Sequence, residues 1–107
     1  MLPKYKIFDE VSLATDHTSP VSNIEFLDNI CIQLQWLTSN AVGVFYIEVS
    51  MDGEHWTAID IPPPAIAGAD DHCLLDLVFL SAPMIRVRYD ATSGTGTLTG
   101  FISAKML

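Results

Sequence analysis

Gly43-Val44-Phe45-Tyr46-Ile47-Glu48-Val49-Ser50, running into Met51-Asp52-Gly53-Glu54-His55-Trp56, is the stretch that decides the fold. Phe45, Ile47 and Val49 fall on one side of an extended chain, and Val44, Tyr46, Glu48 and Ser50 on the other. That alternation marks a strand with one buried face. Asp52-Gly53 reads as a hairpin turn, because glycine takes a positive φ at no steric cost. Trp56 to Ile61 is then the returning strand.

The same pattern repeats on both sides. Ile30, Ile32, Leu34 and Trp36 alternate with Cys31, Gln33 and Gln35, and Thr38-Ser39-Asn40 marks a turn. Downstream, Pro62-Pro63-Pro64 removes ladder donors and ends a strand. Ala65 to Asp71 reads as a flexible loop. His72 to Leu77 alternates with Cys73, Leu75 and Leu77 on one face, next to the short apolar run Leu77-Val78-Phe79-Leu80. Ile85, Val87 and Tyr89 alternate with Arg86 and Arg88. After the turn Thr92-Ser93-Gly94-Thr95-Gly96, the closing strand Thr97 to Lys105 sets Leu98, Ile102 and Ala104 against Thr97, Thr99, Phe101 and Ser103. Glu10 to Ala14 and Ser22 to Phe26 are weaker strand candidates. About eight strands at such spacing predict an all-β, two-sheet antiparallel β-sandwich, jelly-roll-like. Residues 21–107 form a single β-sandwich domain on this reading, and residues 1–20 an N-terminal arm or first strand.

Composition narrows the function. The chain has 107 residues, half of them hydrophobic and only 17% charged, against a usual ~25%. So few solvated side chains suggest that another protein covers part of the surface. Thirteen acidic residues against five basic ones give a net charge of −8, which repels nucleic acid and anionic lipid. No apolar run approaches the ~20 residues of a membrane helix, and the N-terminus lacks the apolar core of a signal peptide. Neither nucleic acid nor membrane is expected as a partner. Cys31 and Cys73 sit among apolar residues and read as buried free thiols of a chain made in a reducing cytosol.

Catalytic machinery is not visible, and no enzyme activity, cofactor or metal is expected. There is no nucleophile elbow, and a buried mid-strand thiol such as Cys31 is inert. Asp70-Asp71-His72-Cys73 is dense in ligand types, but neighbours in an extended chain point to opposite sides and cannot surround one ion. Ser93-Gly94-Thr95-Gly96-Thr97 joins two strands, so no helix N-terminus backs it as a phosphate loop. Tyr46, with Trp56 and the loop near Asp70, is the candidate surface for a glycan. Arg86 and Arg88 share a strand face and are read either as cross-strand partners of carboxylates or as a subunit contact.

Gln33-Leu34-Gln35-Trp36, the Ser50-x-Asp52-Gly53-x-x-Trp56 hairpin, Ile85-Arg86-Val87-Arg88-Tyr89 and Ser93-Gly94-Thr95-Gly96-Thr97 occur in an order that resembles small virion proteins of tailed bacteriophages. The likeness covers roughly residues 21–107, and that group often has Asn where this chain has Met51. Such proteins look like jelly-roll or discoidin-like β-sandwiches, and some act as capsid decoration or cement proteins. The resemblance implies a structural virion protein, synthesised in the host cytoplasm and placed on the outer capsid surface. Its partner would be the major capsid protein, and the chain would act as a homo-oligomer, dimer or trimer. Leu2, Lys4, Tyr5, Lys6, Ile7 and Phe8 are then the expected lattice contacts, with Tyr46, Arg86 and Arg88 as further contact residues. The alternative is a carbohydrate-binding or tail- and fibre-associated β-sandwich module.

Overall fold

A computed structural model describes residues 2–38, 40–61, 64–78 and 82–106. Ser39, Pro62, Pro63, Phe79 and Leu80, on which parts of the turn, strand-end and apolar-run readings rest, lie outside the described residues. The described chain is all strand and turn. It forms β1 (Leu2–Ser12), β2 (His17–Thr18), β3 (Ser22–Asn23), β4 (Asn29–Thr38) and β5 (Val42–Ser50), then β6 (Thr57–Ala58), β7 (Ala65–Ala67), β8 (Asp71–Val78), β9 (Met84–Ser93) and β10 (Gly96–Lys105).

Two antiparallel sheets form the sandwich. One is four-stranded, in the order β1-β10-β4-β8, and the other six-stranded when each short segment is counted, in the order β2-β9-β5-β6 with β3 on β9 and β7 on β5. Since β2 and β3 share one partner strand, and β6 and β7 another, each pair is a single interrupted strand. Counted so, eight strands lie in two layers of four. First pairs with eighth, second with seventh, third with sixth and fourth with fifth, which is a long hairpin rolled up into a jelly roll.

Alternation places the core. Ile30, Ile32, Leu34 and Trp36 of β4 and Leu98, Ile102 and Ala104 of β10 face Phe45 and Ile47 of β5 and Ile85, Val87 and Tyr89 of β9, all buried. Tyr89 spans the layer: its ring packs 5.0 Å from that of Phe45, and its hydroxyl donates to the Leu13 carbonyl at 3.0 Å. The ring lies so close to Gly43 that any Cβ there would sit within 2.6 Å of Tyr89 Cζ.

Several local readings need correction. Glu10–Ala14 is not a separate strand, since it continues the end of β1 into a turn. Only Ser22–Asn23 of the second weak candidate is strand. The loop Ala65–Asp71 contains β7, anchored on Val42–Val44. The returning strand after Asp52-Gly53 shrinks to Thr57–Ala58. Residues 2–12 do not stand off as an arm. They run along β10 from Leu2 opposite Ala104 to Ser12 opposite Thr97, through three register shifts. One shift lies between Lys6 and Phe8, so Ile7 and Phe8 both turn inward and are buried. Those two side chains belong to the core and are not free for a lattice contact.

Candidate binding face

The two outer faces of the sandwich differ in chemistry. On the six-stranded sheet, β5 and β9 run with Glu48 opposite Arg86 and Tyr46 opposite Arg88. Arg86 Nε donates to Glu48 Oε1 at 2.9 Å, and Arg88 Nη1 lies 3.5 Å from Glu48 Oε2. Arg88 Nε lies 3.4 Å from Asp90 Oδ1. Each guanidinium also covers a ring: Arg86 stands 4.1 Å from the Trp56 centroid and Arg88 4.7 Å from that of Tyr46. The result is a ladder, Trp56–Arg86–Glu48–Arg88–Tyr46, in which stacked cations close over a carboxylate that is only 5% exposed. The arginines thus take the cross-strand role. Tyr46 and Trp56 thus each have one ring face occupied by a guanidinium.

The four-stranded sheet is different. Phe101 stands opposite Gln33 on one neighbour and Lys6 on the other, which puts all three on the outer face. Lys4 Nζ lies 5.5 Å from the Phe101 centroid. Leu74 and Asp76 of β8 stand opposite Gln33 and Cys31, so they share that face. Leu37, Leu74 and Val78 are 66%, 59% and 49% exposed along it. All three lysines of the chain, Lys4, Lys6 and Lys105, are gathered here, with Lys6 paired to Asp9 at 3.3 Å.

Two shallow grooves mark the ends of this face. One, of about 650 Å³, is lined by Leu2, Lys4, Cys31, Leu74, Asp76 and Lys105 among others. The other, of about 610 Å³, is lined by Glu10, Gln35, Trp36, Asp70, Asp71, His72, Thr97 and Thr99. The face is therefore polarised, with lysines at one end and carboxylates at the other. Trp36 closes the floor of the acidic end, with its indole N–H donating to the Ala69 carbonyl at 3.0 Å.

Of the terminal residues, Lys4 and Lys6 lie on this face, Leu2 lines a groove, and Ile7 and Phe8 are core. Tyr5 points the other way, opposite Ile102, and its hydroxyl bonds the Ser22 hydroxyl across the sandwich edge. The sequence reading missed Leu74, whose exposure depends on β8 being the last strand of its sheet. It also missed Phe26, which is 84% exposed with φ 65° in the turn closed by Leu27 N–H on the Ile24 carbonyl. A bulky side chain in left-handed backbone is an outlier. The Asp28 N–H on the Lys105 carbonyl (3.2 Å) ties this loop to the lysine end.

Cys31 and Cys73 are free and half-buried, not fully buried. Cys31 stands opposite Asp76 on the outer face, while Cys73, opposite Leu34, faces inward, so the sheet itself separates them. Burial pushes both thiols above their ordinary range. Among the described residues, no three His, Cys, Asp or Glu side chains converge on a point that could hold a metal.

No protein-family model matches the chain, and no curated protein matches it. Among solved structures it is similar to the SPBc2 prophage-derived protein YomS, at 8% identity over 96% of both chains with a TM-score of 0.61. It is also similar to a structure reported as "CBM4 structure and function", at 10% identity over 84% of this chain and 61% of that one, with a TM-score of 0.56. At such identities the likeness is one of fold: the chain is an antiparallel β-sandwich module that shares its architecture with a prophage-derived protein.

Proposed function

We propose that the chain is a non-catalytic structural protein of a phage virion, of the capsid decoration or cement type. It would bind the assembled head through the outer face of its four-stranded sheet. The observation that carries this reading is the gathering of Leu37, Leu74, Val78, Phe101 and every lysine of a −8 chain on that one face. Exposed apolar side chains grouped on one sheet face mark a protein contact rather than scattered surface. The remaining acidic surface keeps such a protein off DNA and suits the outside of a shell. The prophage origin and near-equal length of the YomS neighbour agree with the reading. The chain would stabilise the shell by mass action, because many copies, acting as a small oligomer, bind the assembled lattice and not the free subunit.

Co-sedimentation with heads assembled from the major capsid protein tests this. Saturable binding to heads and none to free subunits is the expected result; no association with heads would sink it. A second reading has its own observation. The acidic groove lined by Gln35, Asp71, His72, Thr97 and Thr99 offers side chains that hydrogen-bond sugar hydroxyls, on a fold shared with the CBM4 structure. Saturable binding on a glycan array without head binding would favour it.

A further inference from the structure

The two sheets have four edges, and three of them are blunted. β1 carries Pro3, two lysines and three register shifts. On the other sheet, the edge segments β2, β3, β6 and β7 are only two or three residues long. The fourth edge is β8, eight residues paired to β4 with no register shift, and free of proline, glycine and lysine. Natural sheets defend their edges with the devices seen on the other three, and a long regular edge invites another strand.

We propose that two copies of this chain pair through β8, antiparallel, about a two-fold axis at Leu74, to make one continuous eight-stranded sheet. This rests on the reading above that the chain acts as a small oligomer. The residue pattern selects the register. A two-fold axis perpendicular to the sheet keeps both outer faces on one side, so outer residues must meet outer residues. With Leu74 opposite its own copy, His72 of each chain falls opposite Asp76 of the other, and Cys73 falls opposite Leu75 on the inner face. Moving the axis to Cys73 sets Asp70 against Asp76, two like charges, and moving it to Leu75 takes His72 from Asp76 and sets it against Val78; the Leu74 register itself sets Asp71 against Leu77. Only the Leu74-centred register of these three matches an imidazole to a carboxylate and an apolar side chain to its equal, the arrangement cross-strand pairs reward. Leu74, 59% exposed in the single chain, packs sideways against its own copy at the axis and stays on the outer face. The net repulsion between two acidic chains is screened beyond about 8 Å at physiological salt. The binding face then runs unbroken across both copies.

Sedimentation equilibrium of the full chain tests the proposal, with a reversible dimer as the expected result. Asp76→Lys should weaken dimerisation on the order of tenfold, since it alters two symmetric cross-strand pairs. His72→Glu combined with Asp76→Lys should restore it. In a Cys31→Ser, Cys73→Ala background, Leu74→Cys should oxidise to a covalent dimer, because directly opposed Cα atoms lie within disulfide reach; Leu37→Cys in the same background should not. For the unsubstituted protein, hydrogen exchange at β8 amides should slow as concentration rises, a readout that needs no variant to fold. A chain that is monomeric at every concentration overturns the pairing, even if it still binds heads through the same face. So does a dimer that Asp76→Lys leaves unchanged and Leu74→Cys does not trap, or β8 exchange that is independent of concentration.

Discussion

Asp52 shows how much one side chain can organise. Its Oδ1 accepts the backbone N–H groups of Glu54 and His55, both at 2.9 Å, and the Ser50 hydroxyl at 3.0 Å. Its Oδ2 lies 2.7 Å from His55 Nδ1. The backbone N–H of His55 and then that of Glu54 are the main causes that hold this carboxyl well below the usual carboxylate range. A carboxyl whose folded pKa is depressed contributes stability that is fully present above its unfolded pKa of about 4. That contribution is lost as pH falls toward the folded value. Asp52→Asn should therefore lower the Tm at pH 7 and flatten the loss of Tm on acidification below about pH 4. Melts at a series of pH values check this; parallel curves for the two proteins would refute it. This turn was legible in the sequence because all its bonds are local and Gly53 supplies the positive φ of 78°. The crowding of Tyr89 on Gly43 was not legible, because it joins residues 46 positions apart on neighbouring strands.

At the scale of the element, β1 is the informative case. Its sequence breaks period-two alternation, since Ile7 and Phe8 are adjacent and both buried. A bulge is set by the partner strand: Lys6 meets Phe101 and Phe8 meets Gly100, with Ile7 as the extra residue. Periodicity within one segment cannot reveal it, which is why the segment could be read as an arm. The structure makes a prediction for truncation. Removing residues 1–9 takes Ile7 and Phe8 out of the core, a loss of about 3–6 kcal/mol in burial alone. That is a large part of the stability of a domain this size. The truncated chain should lose its cooperative melt and its dispersed amide NMR spectrum. A truncated protein that stays folded would show that β1 is dispensable.

At the scale of the whole molecule, the sandwich separates the five basic residues. Arg86 and Arg88 are used up against Glu48, Asp90 and two rings on one side, while the lysines stay with the exposed apolar residues on the other. If the lysine face binds the head, Phe101→Glu should abolish co-sedimentation while shifting the Tm little, since the side chain is only half-buried. Tyr46→Ala, on the opposite face, should leave head binding intact. The reverse pattern would move the contact to the arginine ladder. The sequence by itself determined the strands of the two central layers, the inward residues of β4, β5, β9 and β10, and the hairpin at Asp52-Gly53, because period-two burial and turn chemistry are properties of neighbouring residues. It also determined the acidic, weakly charged surface. Only the tertiary structure decided that β1 is a bulged edge of the sheet, that Tyr46 and Trp56 lie under guanidinium groups, and that β8 is an open edge beside the lysine face. Each of these depends on which strand lies next to which, and strand order follows from closing the whole core, not from any one segment.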